Sequence, residues 1–211
     1  MVIDWYINRR RVIVRMNIKA WFKSKTADKV LSPVRELVID LIDKDSSVLE
    51  VGCGTGDLLF RASDKIKFGL GIDLNKNMVD FANEKVKKEK YNNLEFISEN
   101  ITSYKNIKFK KFDLSTSTLC LHEMSEEEAI STLLLLKSYS SRIIIADYSV
   151  AKTVWGKISI EMDELISGHY SNFKNYMNSE GMLHLFKEAN LDVKSIIKTP
   201  IDGIEIWDLY V

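Results

Sequence analysis

Several things are scarce in this chain, and each scarcity narrows its class. No stretch comes near the ~20 continuous apolar residues that a membrane-crossing helix requires. Charges also interrupt the apolar residues of the N-terminus before a signal-peptide core can form, so a cytoplasmic protein is expected. Cysteine occurs only twice, as Cys53 and Cys120, without metal-ligand spacing. That excludes a disulfide framework and points to two free thiols in a reducing compartment. Proline also occurs twice, and no repeat or low-complexity tract is present. Nothing marks a linker, and residues 1–211 are expected to form a single domain. Thirty basic side chains balance thirty acidic ones, which removes the global electrostatic case for nucleic acid as a partner.

The balance is uneven along the chain. Arg9, Arg10, Arg11, Arg15, Lys19, Lys23 and Lys25 face only Asp4 within residues 1–25. Three readings of this segment stay open: a solvated helix face, a contact with an anionic membrane, or a surface that steers an acidic substrate. Residues 1–45 are read as an N-terminal helical extension within the domain. Its Trp5, Tyr6, Trp21 and Phe22 suit a lid over a cofactor. The extension ends in a helix with Ser32 as N-cap, Pro33 at its first position, and Val34, Leu37, Val38, Leu41 and Ile42 along one face.

From Ser47 a strand, turn, helix pattern repeats. Val48 to Val51, Phe68 to Ile72, Leu94 to Ile97, Phe112 to Thr118 and Arg142 to Ala146 read as buried strands, with helices between several of them. Ser125 and Glu128 form a capping box ahead of the fourth helix. Such alternation implies parallel βαβ units, hence a doubly wound α/β sheet. Leu191 to Ile197 and Ile204 to Val211 are joined too closely for a crossover helix, so they must run antiparallel.

Glu50-Val51-Gly52-Cys53-Gly54-Thr55-Gly56 lies where the first strand meets a helix. Glycines there let a ligand approach the backbone and its free N–H groups. The dinucleotide fingerprint needs a third glycine at position 57, which is Asp, and an acid facing a pyrophosphate is electrostatically poor. A phosphate-binding Gly-Lys-Ser/Thr is also absent. Asp73 ends the second strand, where a carboxylate accepts both ribose hydroxyls, and Glu50 ends the first, where it suits a cationic amino group. Together they fit an adenosine joined to a positively charged amino acid.

The stretches VLEVGCGTGDLL, GLGIDLNKNMVDFAN, LEFISENI, KFDLSTSTLCLHEM and SRIIIADY occur in order over residues 47–147. In this the chain resembles the class I S-adenosylmethionine-dependent methyltransferases, in particular the small-molecule branch that includes quinone-biosynthesis enzymes. The resemblance implies a mostly parallel seven-stranded sheet of order 3-2-1-4-5-7-6, strand 7 antiparallel, with extra N-terminal helices. It implies that S-adenosylmethionine is the cofactor and that Gly52, Gly54 and Gly56 approach its methionine part. Asp73, with Leu74, falls at the ribose, Asn100 and Ile101 fall beside the adenine, and Ser117 and Thr118 supply backbone contacts. Asn100 stands where the family usually has Asp; its carbonyl can still accept a bond from the adenine amino group.

Methyl transfer needs positioning and, for a hydroxyl or carbon acid, a proton acceptor. His122, at the carboxyl edge after the fourth strand, is the candidate base; the alternative is that it fixes the loop. Trp155, His169 and Tyr170 are candidate substrate residues, while Phe173 and Tyr176, at near-helical spacing, read as core. Cys120 lacks the Pro-Cys context of covalent pyrimidine methylation and reads as structural. Asn/Asp-Pro-Pro-Tyr is missing, Asp113 lies at the wrong end of its strand for a catechol-type metal site, and His122-Glu123 does not extend into H-E-x-x-H, so no metal is expected. The acceptor is expected to be a small molecule; a lipophilic one is compatible with the aromatics. Two other functions stay open: a non-catalytic S-adenosylmethionine-binding subunit, and an NAD-linked oxidoreductase, against which Asp57 argues.

Overall fold

The computed structural model of the protein describes residues 31–104, 111–149, 170–178 and 180–211. Pro33–Val211 forms one compact unit. In chain order the elements are α1 (Ser32–Leu41), β1 (Ser47–Val51), α2 (Asp57–Ala62), β2 (Phe68–Asp73), α3 (Lys76–Glu89) and β3 (Leu94–Ser98). Then come β4 (Leu114–Thr118), a 3-10 turn (Leu121–Glu123), α4 (Glu126–Tyr139) and β5 (Arg142–Tyr148). The described chain closes with α5 (Tyr170–Asn178), α6 (Met182–Glu188), β6 (Asp192–Lys198) and β7 (Ile204–Tyr210). Among the described residues no helix is long and apolar enough to cross a membrane.

The seven strands form one sheet of order β3-β2-β1-β4-β5-β7-β6. The first five pair in parallel, and β7 runs antiparallel to both neighbours. This is the fold class and strand order that the sequence implies. Hydrophobicity explains the positions. In β5, Ile143 to Ala146 are fully buried, as a strand covered on both faces must be. The outermost strand, β6, is largely exposed and carries Lys194 and Lys198, charges that discourage edge-to-edge pairing.

Local chemistry sets the helix ends. The Asn75 side chain accepts from the Asn77 and Met78 amides at the start of α3. Ser125 and Glu128 make the expected reciprocal capping box on α4. Asp113 accepts from both the backbone N–H and the hydroxyl of Ser47 at 2.7 Å, which ties the start of β4 to β1. The Ser47 bonds hold its carboxyl below its ordinary range.

Two expectations need correction. The buried face of α1 carries Val34, Val38 and Ile39, so Ile39 takes the place expected for Leu37 and Leu41, which are only half-buried. The fourth strand begins at Leu114, because Phe112 makes only an isolated bridge to Ser140.

Strand order reverses between β1 and β4, which leave the sheet centre in opposite directions. In open α/β sheets the crevice for ligands lies beyond the carboxyl ends of the strands at that switch point. Glu50, the glycine loop, Thr118 and the turn that bears His122 all lie there.

Candidate functional site

The loop after β1 turns on three glycines with left-handed backbones, Gly52 (φ 73°), Gly54 (φ 53°) and Gly56 (φ 78°). The space around them differs. A Cβ on Gly52 would meet Cys120 Sγ at 2.3 Å, and one on Gly56 would meet the Phe96 ring at 2.5 Å. At Gly54 the nearest atom is Met78 Sδ at 3.6 Å, ordinary contact distance. Gly52 and Gly56 are therefore small because protein packs where their side chains would be, and Gly54 alone of the three has room above it. Phe96 also fills the side-chain space of Gly71, its register partner on β2, so one aromatic ring locks the loop against the sheet.

Carboxylates surround this loop in three electrostatic states. Asp73 spans it, with Oδ2 accepting the Gly54 amide and Oδ1 the Asn75 amide, both at 2.7 Å. Further lone pairs on both oxygens stay available. Asp57 is turned to cations: its Oδ2 lies 2.8 Å from Arg61 and 3.3 Å from Arg35. The electrostatic part of the case against a pyrophosphate is therefore corrected. The missing glycine still counts, but the Asp57 charge is answered by two guanidiniums. Glu50 is different again. It is 3% exposed, and its Oε2 has no hydrogen-bond partner among the described residues. Burial, with further push from Asp73 and Asp57 against the pull of Arg35, raises its pKa to about 8.

The remaining expected cofactor residues lie at the same edge of the sheet. Leu74, directly after Asp73, stands 70% exposed, unusual for a leucine. Asn100 follows β3 and its Oδ1 accepts from the Thr102 amide at 2.9 Å and the Thr102 hydroxyl at 2.8 Å. Ile101 is buried. The carbonyl expected to serve a ligand is thus engaged in the chain's own turn, which leaves Asn100 presenting its amide N–H groups outward. Ser117 and Thr118 end β4 buried, and the hydroxyl of Thr118, like those of Ser115 and Thr116, has no partner among the described residues.

His122 is placed on the 3-10 turn after β4, inside the protein rather than at its surface. It is 2% exposed, with its ring 4.5 Å from that of Tyr148 and 6.5 Å from that of Tyr176. Its Nδ1 lies 2.5 Å from Asp147 Oδ1. Asp147 is fully buried at the end of β5 and also accepts the Tyr148 amide at 2.7 Å and the Leu121 amide at 3.0 Å. A carboxylate accepting from Nδ1 assigns the proton of a neutral imidazole to Nδ1 and the lone pair to Nε2. Asp147 is the residue that sequence reasoning missed. Its only signal was an acid ending a run of isoleucines on the strand beside His122.

Tyr176 is buried, as expected of a core aromatic, and donates its hydroxyl to the Tyr148 carbonyl at 2.5 Å. Trp155, His169, the aromatics of residues 1–25 and the side chains of Tyr170 and Phe173 lie outside the described residues. Burial pushes the thiols of both Cys53 and Cys120 up. A cavity of about 210 Å3 opens beside the turn of His122, lined by Met124, Glu126, Asn172, Tyr176 and Leu185 among others. Its walls mix polar and apolar groups.

A family model described as a methyltransferase domain matches residues 42–200. The chain belongs to this family. An uncharacterized protein of Methanocaldococcus jannaschii is 30% identical over 92 residues, 43% of this chain. The chain spans 36% of the length of that curated relative. Among solved structures, a SAM-dependent methyltransferase from Aquifex aeolicus superposes with a TM-score of 0.64 at 17% identity, covering 93% of this chain and all of that one. Magnesium protoporphyrin IX methyltransferase from Synechocystis, with bound SAH, gives a TM-score of 0.57 at 18% identity, covering 93% and 88%. These two likenesses are of fold.

The methyltransferase cofactor is S-adenosylmethionine, and the residues present fit it. An orphaned buried carboxyl oxygen suits a cationic amino group, and Asp73 keeps acceptor capacity for hydroxyls.

Proposed function

We propose that this methyltransferase-family chain transfers a methyl group from S-adenosylmethionine to a small-molecule acceptor. The observation that carries the reading is the buried, unpartnered Oε2 of Glu50 at the start of a glycine loop whose Gly54 amide is held by the Asp73 carboxylate. Bound S-adenosylmethionine supplies a methyl group on a cationic sulfur, open to in-line displacement. Glu50 holds the amino end, Gly54 gives backbone approach in a loop that Gly52 and Gly56 let pack tightly, and Asp73 takes the ribose hydroxyls. Exposed Leu74 offers an apolar surface beside them, Asn100 and Ile101 flank the base, and Ser117 and Thr118 close the methionine side. Trp155, His169 and Tyr170 remain the proposed acceptor contacts.

For an acceptor that loses a proton, His122 Nε2 is the proposed base, with Asp147 holding its tautomer. A second role for His122 is favoured by its burial and by the three donors converging on Asp147: the pair anchors the β4–α4 turn to β5. The two roles separate in the pH dependence of turnover. His122→Gln should remove the acidic limb of the pH–rate profile if the imidazole is the base, and only lower the rate uniformly if it is the anchor.

The function itself is tested with methyl-labelled S-adenosylmethionine and fractionated metabolite extracts. One fraction should yield a labelled product together with S-adenosylhomocysteine. Binding of S-adenosylhomocysteine with no turnover on any fraction would instead favour the non-catalytic binder.

A further inference from the structure

Glu50 is costly where it stands. Its carboxyl is buried at the end of β1, between Gly71 of β2 and Thr116 of β4 in register. Neither neighbour bonds its Oε2, and the Thr116 hydroxyl beside it is also without a partner among the described residues. The charged groups that bear on it come from three elements: Arg35 on α1, Asp57 on α2 and Asp73 on β2. Among the described residues Arg35 is the one cation that bears on it, and it lies 3.3 Å from Asp57, which also takes Arg61. That charge is thus shared with another acid, and a buried carboxylate with an oxygen left unbonded is strongly disfavoured in such a place.

We propose that Glu50 is a proton-exchange group of the ligand site: it carries a proton when no cation is present and releases it to solvent when a cationic amino group binds. The O–H bond of the Glu50 carboxyl breaks, the proton leaves to buffer, and the resulting carboxylate pairs with the incoming ammonium, which keeps its own protons. The net charge of the buried site is conserved. Selection for a cationic ligand end follows, since only a cation compensates the loss of that proton. This rests on the proposed binding of S-adenosylmethionine, and concerns how this chain admits it.

Calorimetric titration with S-adenosylhomocysteine, which bears the same amino group, tests it in two buffers of different ionisation heat. At pH 6.5 close to one proton should be released per ligand bound, and the release should fall toward pH 8 and turn to uptake above it, where free Glu50 is already ionised and the free amino group has begun to lose its proton. Affinity should tighten as pH rises toward 8, by up to about tenfold per unit. Glu50→Gln, a neutral near-isostere, should bind more weakly with neither the release nor the pH slope. Binding without proton release at pH 6.5, or release undiminished in Glu50→Gln, would overturn the inference while leaving the ligand reading intact. A failure of wild type to bind S-adenosylhomocysteine at any pH would overturn the ligand reading, and the inference with it.

Discussion

Two buried carboxylates end neighbouring parts of the same sheet, and they are treated in opposite ways. Asp147, at the end of β5, meets three donors from its own chain. Glu50, at the end of β1, keeps an oxygen that meets none. Burial alone therefore does not distinguish the two acids; the count of donors does. Asp147 has its bonds already. Glu50 keeps an oxygen for which the described residues provide no partner, and it does so beside the glycine loop.

The contrast can be broken by mutation. The largest effect is expected for Asp147→Ala, which strands two buried amides and the imidazole; a loss of about 3–5 kcal/mol in denaturant unfolding is expected, as for other broken buried pairs. A loss under about 1 kcal/mol would show that the three donors find other partners. Next come the glycines. Gly52→Ala drives a methyl group into Cys120 on a left-handed backbone and should cost about 2–4 kcal/mol. Gly54→Ala meets only the backbone strain, about 1–2 kcal/mol, yet should weaken S-adenosylhomocysteine binding by tenfold or more. Equal binding losses in the two variants, corrected for stability, would remove the distinction between packing and ligand-facing glycines.

Glu50→Gln sharpens the comparison through pH. The raised pKa of about 8, against an ordinary 4.5, means that the folded protein holds a proton the unfolded chain has lost between those values. Stability from this group is fully present below about pH 4.5 and declines as pH rises through about 8, by up to about 1.4 kcal/mol per unit. The ligand-free Gln variant should lack that component, so its melting temperature should exceed that of wild type by a growing margin from pH 5 to 8. Identical pH slopes would count against a protonated Glu50. The smallest effect is expected at Asn100→Asp. The turn bonds to Thr102 survive, the second oxygen adds an acceptor, and S-adenosylhomocysteine affinity should rise about threefold with stability unchanged. A fall in affinity would mean that the amide N–H groups contact the ligand.

Much of this was legible before any coordinates. Buried strands announce themselves as runs such as Arg142 to Ala146, the capping box needs only Ser125 and Glu128, and the short link after Lys198 forces an antiparallel pair. The glycines were legible as a loop, but not their separate reasons, because Cys120 and Phe96 reach Gly52 and Gly56 only through tertiary packing. Asp147 stayed hidden for the same cause: its partner lies 25 residues earlier, and no spacing rule joins them. On α1, Val34, Val38 and Ile42 are buried as the spacing implies, while half-buried Leu37 and buried Ile39 are equally apolar on paper. Asp57 was noticed for its charge, while the two arginines that neutralise it could be seen only in three dimensions.

The place of β7 has a consequence for how the chain is made. Lying between β5 and β6, it is, among the described residues, the one strand to which β6 is bonded. A ribosome delivers β6 first, and that strand then has no neighbour to join until β7 has emerged and docked on β5. The five parallel strands and the ligand edge can be assembled during synthesis, whereas one flank of the sheet has to wait for the last segment. A released chain truncated before Ile204 should therefore display β6 to proteases while the glycine loop stays protected.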